Sequence, residues 1–256
     1  MEILKDSKGL GENLTTHSDG SFHLDGNLNE SLWKKAKKYT NFLVYQKGTK
    51  AKVQTTGLIA YDDHCLYFGL IADEPLISRI KDNAKENNLI KVYSDDCLEI
   101  MLDADNNPID YYHFLLNPSG YKGQRFCTQS GIVGNPWDND NWYVATKIEK
   151  DRWVAEVAIP FSILNLEEAL KNEITFNICR DRRASGKLEE SSFIKNGEFN
   201  KPVYFRKFSL KDINLAKYNY RISRPILSKT SQKEGELNAV ISFIKIGTRR
   251  TIILKL

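Results

Sequence analysis

The sequence is poor in the residues that most enzymes and metal sites draw on. Only four histidines (His17, His23, His64 and His113) are spread over 256 residues, so a catalytic or metal-binding histidine cluster has little material. No Gly-x-Ser-x-Gly elbow, His-Glu-x-x-His helix or phosphate-binding glycine loop occurs. The four cysteines, Cys65, Cys97, Cys127 and Cys179, lack tight metal-ligand spacing and fall mostly in apolar runs. Buried free thiols are the simplest reading, ahead of a disulfide pair or a zinc site. No run of about 18 apolar residues exists, so no helix is expected to span a membrane. The N-terminus has no apolar signal-peptide core either. A charge excess of one sign is also missing: 37 basic residues face 33 acidic ones, for a net charge of +4. Lys34–Lys35 and Lys37–Lys38 read as the solvated face of a short helix, so no nucleic-acid stripe is expected.

What is present is β-structure. A hydrophobic fraction of 41% and an aromatic fraction of 11% describe an ordinary folded domain, and the length allows one sizeable core. Residues 1–17 are polar and aperiodic and read as a loose N-terminal arm. Residues 29–36 read as a short capped helix with Leu32, Trp33 and Ala36 turned inward. Strands are predicted over 53–61, 65–72, 97–102, 111–116, 142–148, 153–159, 174–180 and 205–210. A short helix is predicted over 161–170, after Pro160, and 78–88 reads as a helical turn or loop. The run 65–72 is apolar on both faces and therefore central. In 97–102, Leu98, Ile100 and Leu102 point one way, and Cys97, Glu99 and Met101 the other. Many short strands with polar turns predict an all-β, antiparallel β-sandwich with short peripheral helices, over residues 18–210. Residues 211–256 form a C-terminal extension. Its runs 240–246 and 251–256 read as an added β-hairpin or the start of a further domain, a place for a neighbouring domain or protein partner to dock.

Six phrases in order carry a family resemblance. They are Leu24-Asp-Gly-Asn-Leu-Asn-Glu-Ser-Leu-Trp-Lys-Lys-Ala36, Tyr61-Asp-Asp-His-Cys-Leu-Tyr67, Ser94-Asp-Asp-Cys-Leu-Glu-Ile-Met-Leu-Asp103 and Tyr112-His-Phe-Leu-Leu-Asn-Pro-Ser-Gly120. Trp153-Val-Ala-Glu-Val-Ala-Ile-Pro-Phe161 and Phe176-Asn-Ile-Cys-Arg180 complete the series. Together they resemble the family 9 carbohydrate-binding modules, within the wider DOMON-like sandwiches, across residues 22–210. The resemblance implies a non-catalytic module that holds a sugar between aromatic rings, with calcium stabilising the fold. It also implies an accessory role in polysaccharide capture or degradation, and a place outside the cytoplasm: extracellular, periplasmic or on the cell surface. Where the family carries two sandwiching tryptophans, this chain has Tyr93, six residues before Glu99, and Phe193 in the phrase Ser191-Ser-Phe193.

A sugar offers apolar C–H faces ringed by hydroxyls, so its site needs flat aromatic surface with oriented polar groups. Tyr93 and Phe193 are candidates for the surface, and Glu99 for accepting hydroxyl hydrogen bonds. Arg180, at the end of its strand, is a candidate donor or a structural ion-pair partner. Trp137 and Trp142 flank a polar loop that could form a cleft rim, although Trp142, opening a strand, also suits a core. Asp103, Asp105 and Asn107 form a D-x-D-x-N turn, a calcium candidate without the glycine and closing glutamate of an EF-hand.

Three other function classes stay open at this point. A protein-binding or structural module would use the same exposed aromatics. A glycoside-active enzyme would need a carboxylate pair, and Glu99 and Asp103 stand roughly 13 Å apart along one strand, wider than the ~5–9.5 Å of such pairs. A haem-binding redox domain could use Met101 and His113 on neighbouring strands.

Overall fold

The computed structural model describes residues 23–128, 133–135, 137, 139–164, 166, 172–211 and 213, together with the strands at 220–222, 226–228, 238–245 and 248–255. The N-terminal arm read at 1–17, and residues 165 and 167–170 of the helix expected over 161–170, lie outside these residues. Before that point the chain makes one 3-10 turn, Phe161–Ile163.

Two antiparallel sheets make the sandwich. The first has five strands in the order β1 (Lys37–Tyr39), β3 (Thr55–Tyr61), β4 (Cys65–Asp73), β10 (Arg152–Pro160) and β9 (Tyr143–Ile148). The second has eight, running β2 (Leu43–Val44), β12 (Glu189–Ser192), β11 (Glu173–Arg182), β5 (Cys97–Asp103), β6 (Asp110–Leu116), β7 (Lys122–Thr128) and β8 (Val133–Asn135). Its eighth strand, β13 (Arg206–Ser209), also pairs with β11. The fold is the all-β antiparallel sandwich expected from the strand pattern. Among the described residues there are two short α-helices, α1 (Ser31–Lys34) and α2 (Leu89–Tyr93). No helix there is long and apolar enough to cross a membrane.

Strand alternation builds the core. Leu66, Phe68 and Leu70 on β4 meet Ala155, Val157 and Ile159 on β10, and all six are fully buried. From the facing sheet come Leu98, Ile100 and Leu102 on β5, with Phe176 and Ile178 on β11, in the same apolar cluster. The back of the five-stranded sheet is covered too, which is why β4 is apolar on both faces. Leu24, Trp33, Cys65, Tyr67 and Ala158 form that second cluster. It is pinned by Glu156, whose Oε1 accepts Trp33 Nε1 at 2.9 Å and whose Oε2 accepts the amides of Asp25 and Gly26. All four cysteines are buried free thiols, as their apolar surroundings suggested. The basic pairs Lys34–Lys35 and Lys37–Lys38 are exposed.

Beyond the sandwich, β14 (Tyr220–Ile222), β15 (Ile226–Ser228), β16 (Asn238–Lys245) and β17 (Thr248–Lys255) form a separate antiparallel sheet. In it β16 pairs with each of the other three.

Candidate functional site

The outer face of the eight-stranded sheet carries most of the polar chemistry. Register puts Glu99 opposite Leu115 and Cys179, and Met101 opposite His113 and Asn177, with His113 in turn opposite Arg125. A polar sheet face normally looks into water, yet Glu99, His113 and Asp181 are each at most 1% exposed. Two chain segments cover it. One is α2 with the loop that follows it; the other is the loop through Phe199 and Asn200. Between them lies a half-open pocket of about 150 Å³, lined by Tyr93, Glu99, His113, Arg125, Tyr45 and Phe199, with Met101, Glu190 and Asn200 completing its wall.

Local sequence explains how Tyr93 is held at the mouth. Asn88 caps α2, its side chain accepting the amides of Ile90 and Lys91. Val92 packs into a small apolar cluster with Cys97 and Leu115. Arg183 ties the helix end down, donating from Nη2 to Tyr93 O at 2.9 Å and from Nε to Asp95 O at 2.9 Å. The helix sits directly on β7 because residue 123 is glycine: a Cβ there would lie 2.6 Å from Leu89 Cα. Gly123→Ala is therefore expected to lift α2 and cost about 1–3 kcal/mol. Urea denaturation measures that loss, and tryptic susceptibility near Lys91 reports the displaced helix.

The opposite wall is fixed from below. Asn177 Nδ2 donates to the carbonyls of Glu198 and Phe199, both at 3.0 Å, and Ser192 Oγ donates to Glu198 O at 2.8 Å. Phe199 then meets Tyr45 edge to face, with ring centroids 5.3 Å apart. Tyr45 is itself set by its amide, which donates to Glu190 O.

At the floor, Arg125 Nε donates to His113 Nδ1 at 2.9 Å. That leaves the imidazole proton on Nε2, which donates to Glu99 Oε2 at 2.5 Å. Burial holds the His113 pKa below its ordinary value, so the ring is neutral. Burial also pushes Glu99 up to about 7, against the pull of Arg125, and pushes Asp181 up to about 9 with help from the Glu99 and Glu190 charges. The Tyr93 phenol is raised by burial and by the carboxylates of Asp181, Glu99 and Glu190, so it stays a hydrogen-bond donor. The floor is thus a directional polar array, with two aromatic walls above it.

Of the residues singled out in the sequence, Tyr93 and Glu99 come together in this pocket. The other candidates for the sugar site and its rim go elsewhere. Phe193 turns into the interior, 9% exposed, with its ring 5.0 Å from Tyr39 and 5.5 Å from Phe176. Arg180 also points inward, because it pairs with Leu98 on the core face of β5; there it donates to Glu74 Oε2 at 3.1 Å. Trp142 is fully buried against Phe114, and Trp137 packs on Tyr112 and Phe114, so both close the sandwich and form no cleft rim. Met101 and His113 do share a face, but both ring nitrogens of His113 are hydrogen-bonded and leave none for haem iron. Tyr45, Arg125, Glu190, Phe199 and Asn200 carry the rest of the pocket without a sequence signal of their own. Their strands and loops meet only through pairing.

At the far end of β5, Asp103 and Asp105 crowd one turn closed by Asn106 in the left-handed region, φ 56°. Asp103 accepts Thr175 Oγ1 and the Asn107 amide, and burial plus the Asp105 carboxyl pushes it up to about 7. Asp103 and Asp105 thus bring carboxylate oxygens, the donor type a hard divalent cation takes, to one turn. Asn107 is turned the other way: its Nδ2 donates to Asp105 and its Oδ1 accepts the Ile109 amide.

The family model for the carbohydrate family 9 binding domain-like family matches residues 24–212. A family 9 carbohydrate-binding module from Caldicellulosiruptor kristjanssonii, solved in complex with cellotriose, is 18% identical with a TM-score of 0.54, covering 75% of this chain and 90% of that one. A family 9 module from the same organism in complex with glucose is 16% identical with a TM-score of 0.54, covering 75% and 94%. A candidate carbohydrate-binding protein from Bacteroides uniformis is 14% identical with a TM-score of 0.56, covering 72% and 91%. At these identities the likeness is one of fold. None of the curated proteins matches the sequence.

Proposed function

The chain belongs to the carbohydrate family 9 binding domain-like family, and from that premise we propose that it binds a sugar, without transforming it, in the pocket beneath Tyr93. The observation that carries this reading is the pairing of aromatic walls with a polar floor. Tyr93 stands 42% exposed at the mouth, facing the Tyr45–Phe199 pair across Glu99, His113 and Arg125. Aromatic rings cover the C–H faces of a sugar, and a carboxylate, an amide and a guanidinium take its hydroxyls. A half-open pocket of about 150 Å³ suits one sugar unit, with the rest of a glycan left outside. Structures of related fold that hold glucose or cellotriose support the sugar class. An accessory role in polysaccharide capture, and a working place outside the cytoplasm, follow from this reading.

A panel of soluble and insoluble glycans tests it, read by pull-down for the insoluble set and by thermal shift for the soluble set. Saturable binding of one glycan class is expected. A protein-binding module, which the exposed Ile90 and Val203 would suit, would be untouched by soluble sugars.

Calcium belongs to the same proposal, held by Asp103 and Asp105. Its chemistry would be to neutralise two carboxylates that otherwise repel. Added calcium is expected to raise the melting temperature by several degrees, and Asp105→Asn to remove that response. An equal response in wild type and variant would move the ion elsewhere.

A further inference from the structure

At the edge of the pocket, the same sheet face holds three donors, of which the sugar reading uses Glu99 alone. Cys97 and Glu99 are two residues apart on β5 and share a face, and Asp181 on β11 is the cross-strand partner of Cys97. All three are at most 1% exposed. The Cys97 thiol sulfur and one oxygen of each carboxylate lie within 4.8 Å of one another.

Each carboxylate is engaged on one side only. Glu99 Oε2 accepts from His113, and Asp181 Oδ2 faces Arg183 Nη2 at 3.4 Å. The remaining oxygens, Glu99 Oε1 and Asp181 Oδ1, are buried and accept from no donor among the described residues. Buried carboxylate oxygens with no donor are costly unless a proton or a cation lies between them. A thiolate beside two carboxylates is a borderline donor set. Calcium and magnesium take oxygen alone, whereas zinc accepts sulfur and oxygen together.

We propose that Cys97, Glu99 and Asp181 bind one divalent cation of the zinc class beside the pocket, with His113 and Arg183 holding the two carboxylates in place. Three protein donors leave one tetrahedral position for water or a ligand oxygen. Loading sends the Cys97 thiol proton, and any proton held on the two carboxyl groups, to solvent. Affinity therefore falls as pH falls. The Arg125 and Arg183 charges oppose the cation and Glu190 favours it. Glu99 is common to this site and to the sugar reading, so the two are tested separately.

The test uses the full chain, stripped with chelator and titrated with cobalt and then zinc, with no sugar present. One cobalt per chain is expected, with a near-ultraviolet thiolate-to-cobalt charge-transfer band that zinc abolishes by displacement. Cys97→Ser should remove the band. Asp181→Asn should weaken binding at least about tenfold, and it decides the matter if Cys97→Ser does not fold. Folded wild type that takes up neither metal, binds cobalt without the thiolate band, or binds equally well in both variants overturns the assignment. Sugar titration of the same metal-free protein reads the pocket independently.

Discussion

Glu74→Ala is expected to cost the protein about 3–5 kcal/mol, the largest effect of any single truncation we foresee. Glu74 is fully buried just after β4 and joins the two sheets. Its Oε2 accepts Arg180 Nη2 at 3.1 Å and Arg182 Nε at 2.7 Å, while Oε1 accepts Arg182 Nη2 at 2.8 Å and the Leu76 amide at 2.9 Å. Arg180 is 1% exposed and Arg182 5%. Removing the carboxylate leaves the Arg180 charge without an ion-pair partner where water cannot replace it, and leaves Arg182 with Glu189 alone. Burial would raise the Glu74 pKa, but the bonds from Arg182 and Leu76 and the two positive charges hold it below the ordinary value. The network's stability is thus present above the ordinary carboxylate range and is lost as pH falls through the depressed pKa. Urea denaturation at neutral pH measures the loss, about 10 °C in melting temperature for a domain of this size. A change below about 1 kcal/mol would mean the pair is only a surface-like contact.

Tyr93→Ala should leave the fold intact and weaken sugar binding at least tenfold, or about 1.4 kcal/mol. The ring stands at the mouth, 42% exposed, so its truncation opens no core cavity. Tyr93→Phe separates the two contributions of the side chain: stacking survives, and only the hydroxyl donor is lost. If Phe behaves like Ala, the phenol carries the contact. If Phe behaves like wild type, the ring does. Calorimetric titration with the sugar identified in the glycan panel gives both numbers.

Much of this was legible in the sequence, and the misses have physical causes. The strands at β4, β5, β6, β10 and β11 announce themselves because each is long, apolar and buried. Short strands such as β2 and β12, two and four residues long, carry too few alternations to read. Tyr93 and Glu99 were named from the family resemblance, and a helix end followed by the next strand brings them into one pocket. Of the two readings of Arg180, the structural ion pair is the one the fold realises: Ile174, Phe176 and Ile178 alternate on one face, and the same period turns Arg180 inward to Glu74. Phe193 lies just past the end of β12, where alternation no longer fixes direction, and the ring falls into the core. The second aromatic wall comes from Tyr45 and Phe199, whose meeting depends on β2 pairing with β12 and on hydrogen bonds from Asn177. No spacing in the chain encodes that.

The most direct test of the account is a calorimetric titration of the folded chain, with calcium in the buffer, with glucose and cello-oligosaccharides, alongside Tyr93→Ala and Glu99→Gln. The account predicts saturable one-to-one binding by wild type, lost with Tyr93→Ala and weakened with Glu99→Gln, while both variants keep their far-ultraviolet spectrum. Sugar binding that survives Tyr93→Ala undiminished would contradict the assigned pocket. Absence of binding to these sugars and to every glycan in the wider panel would contradict the sugar-binding function itself.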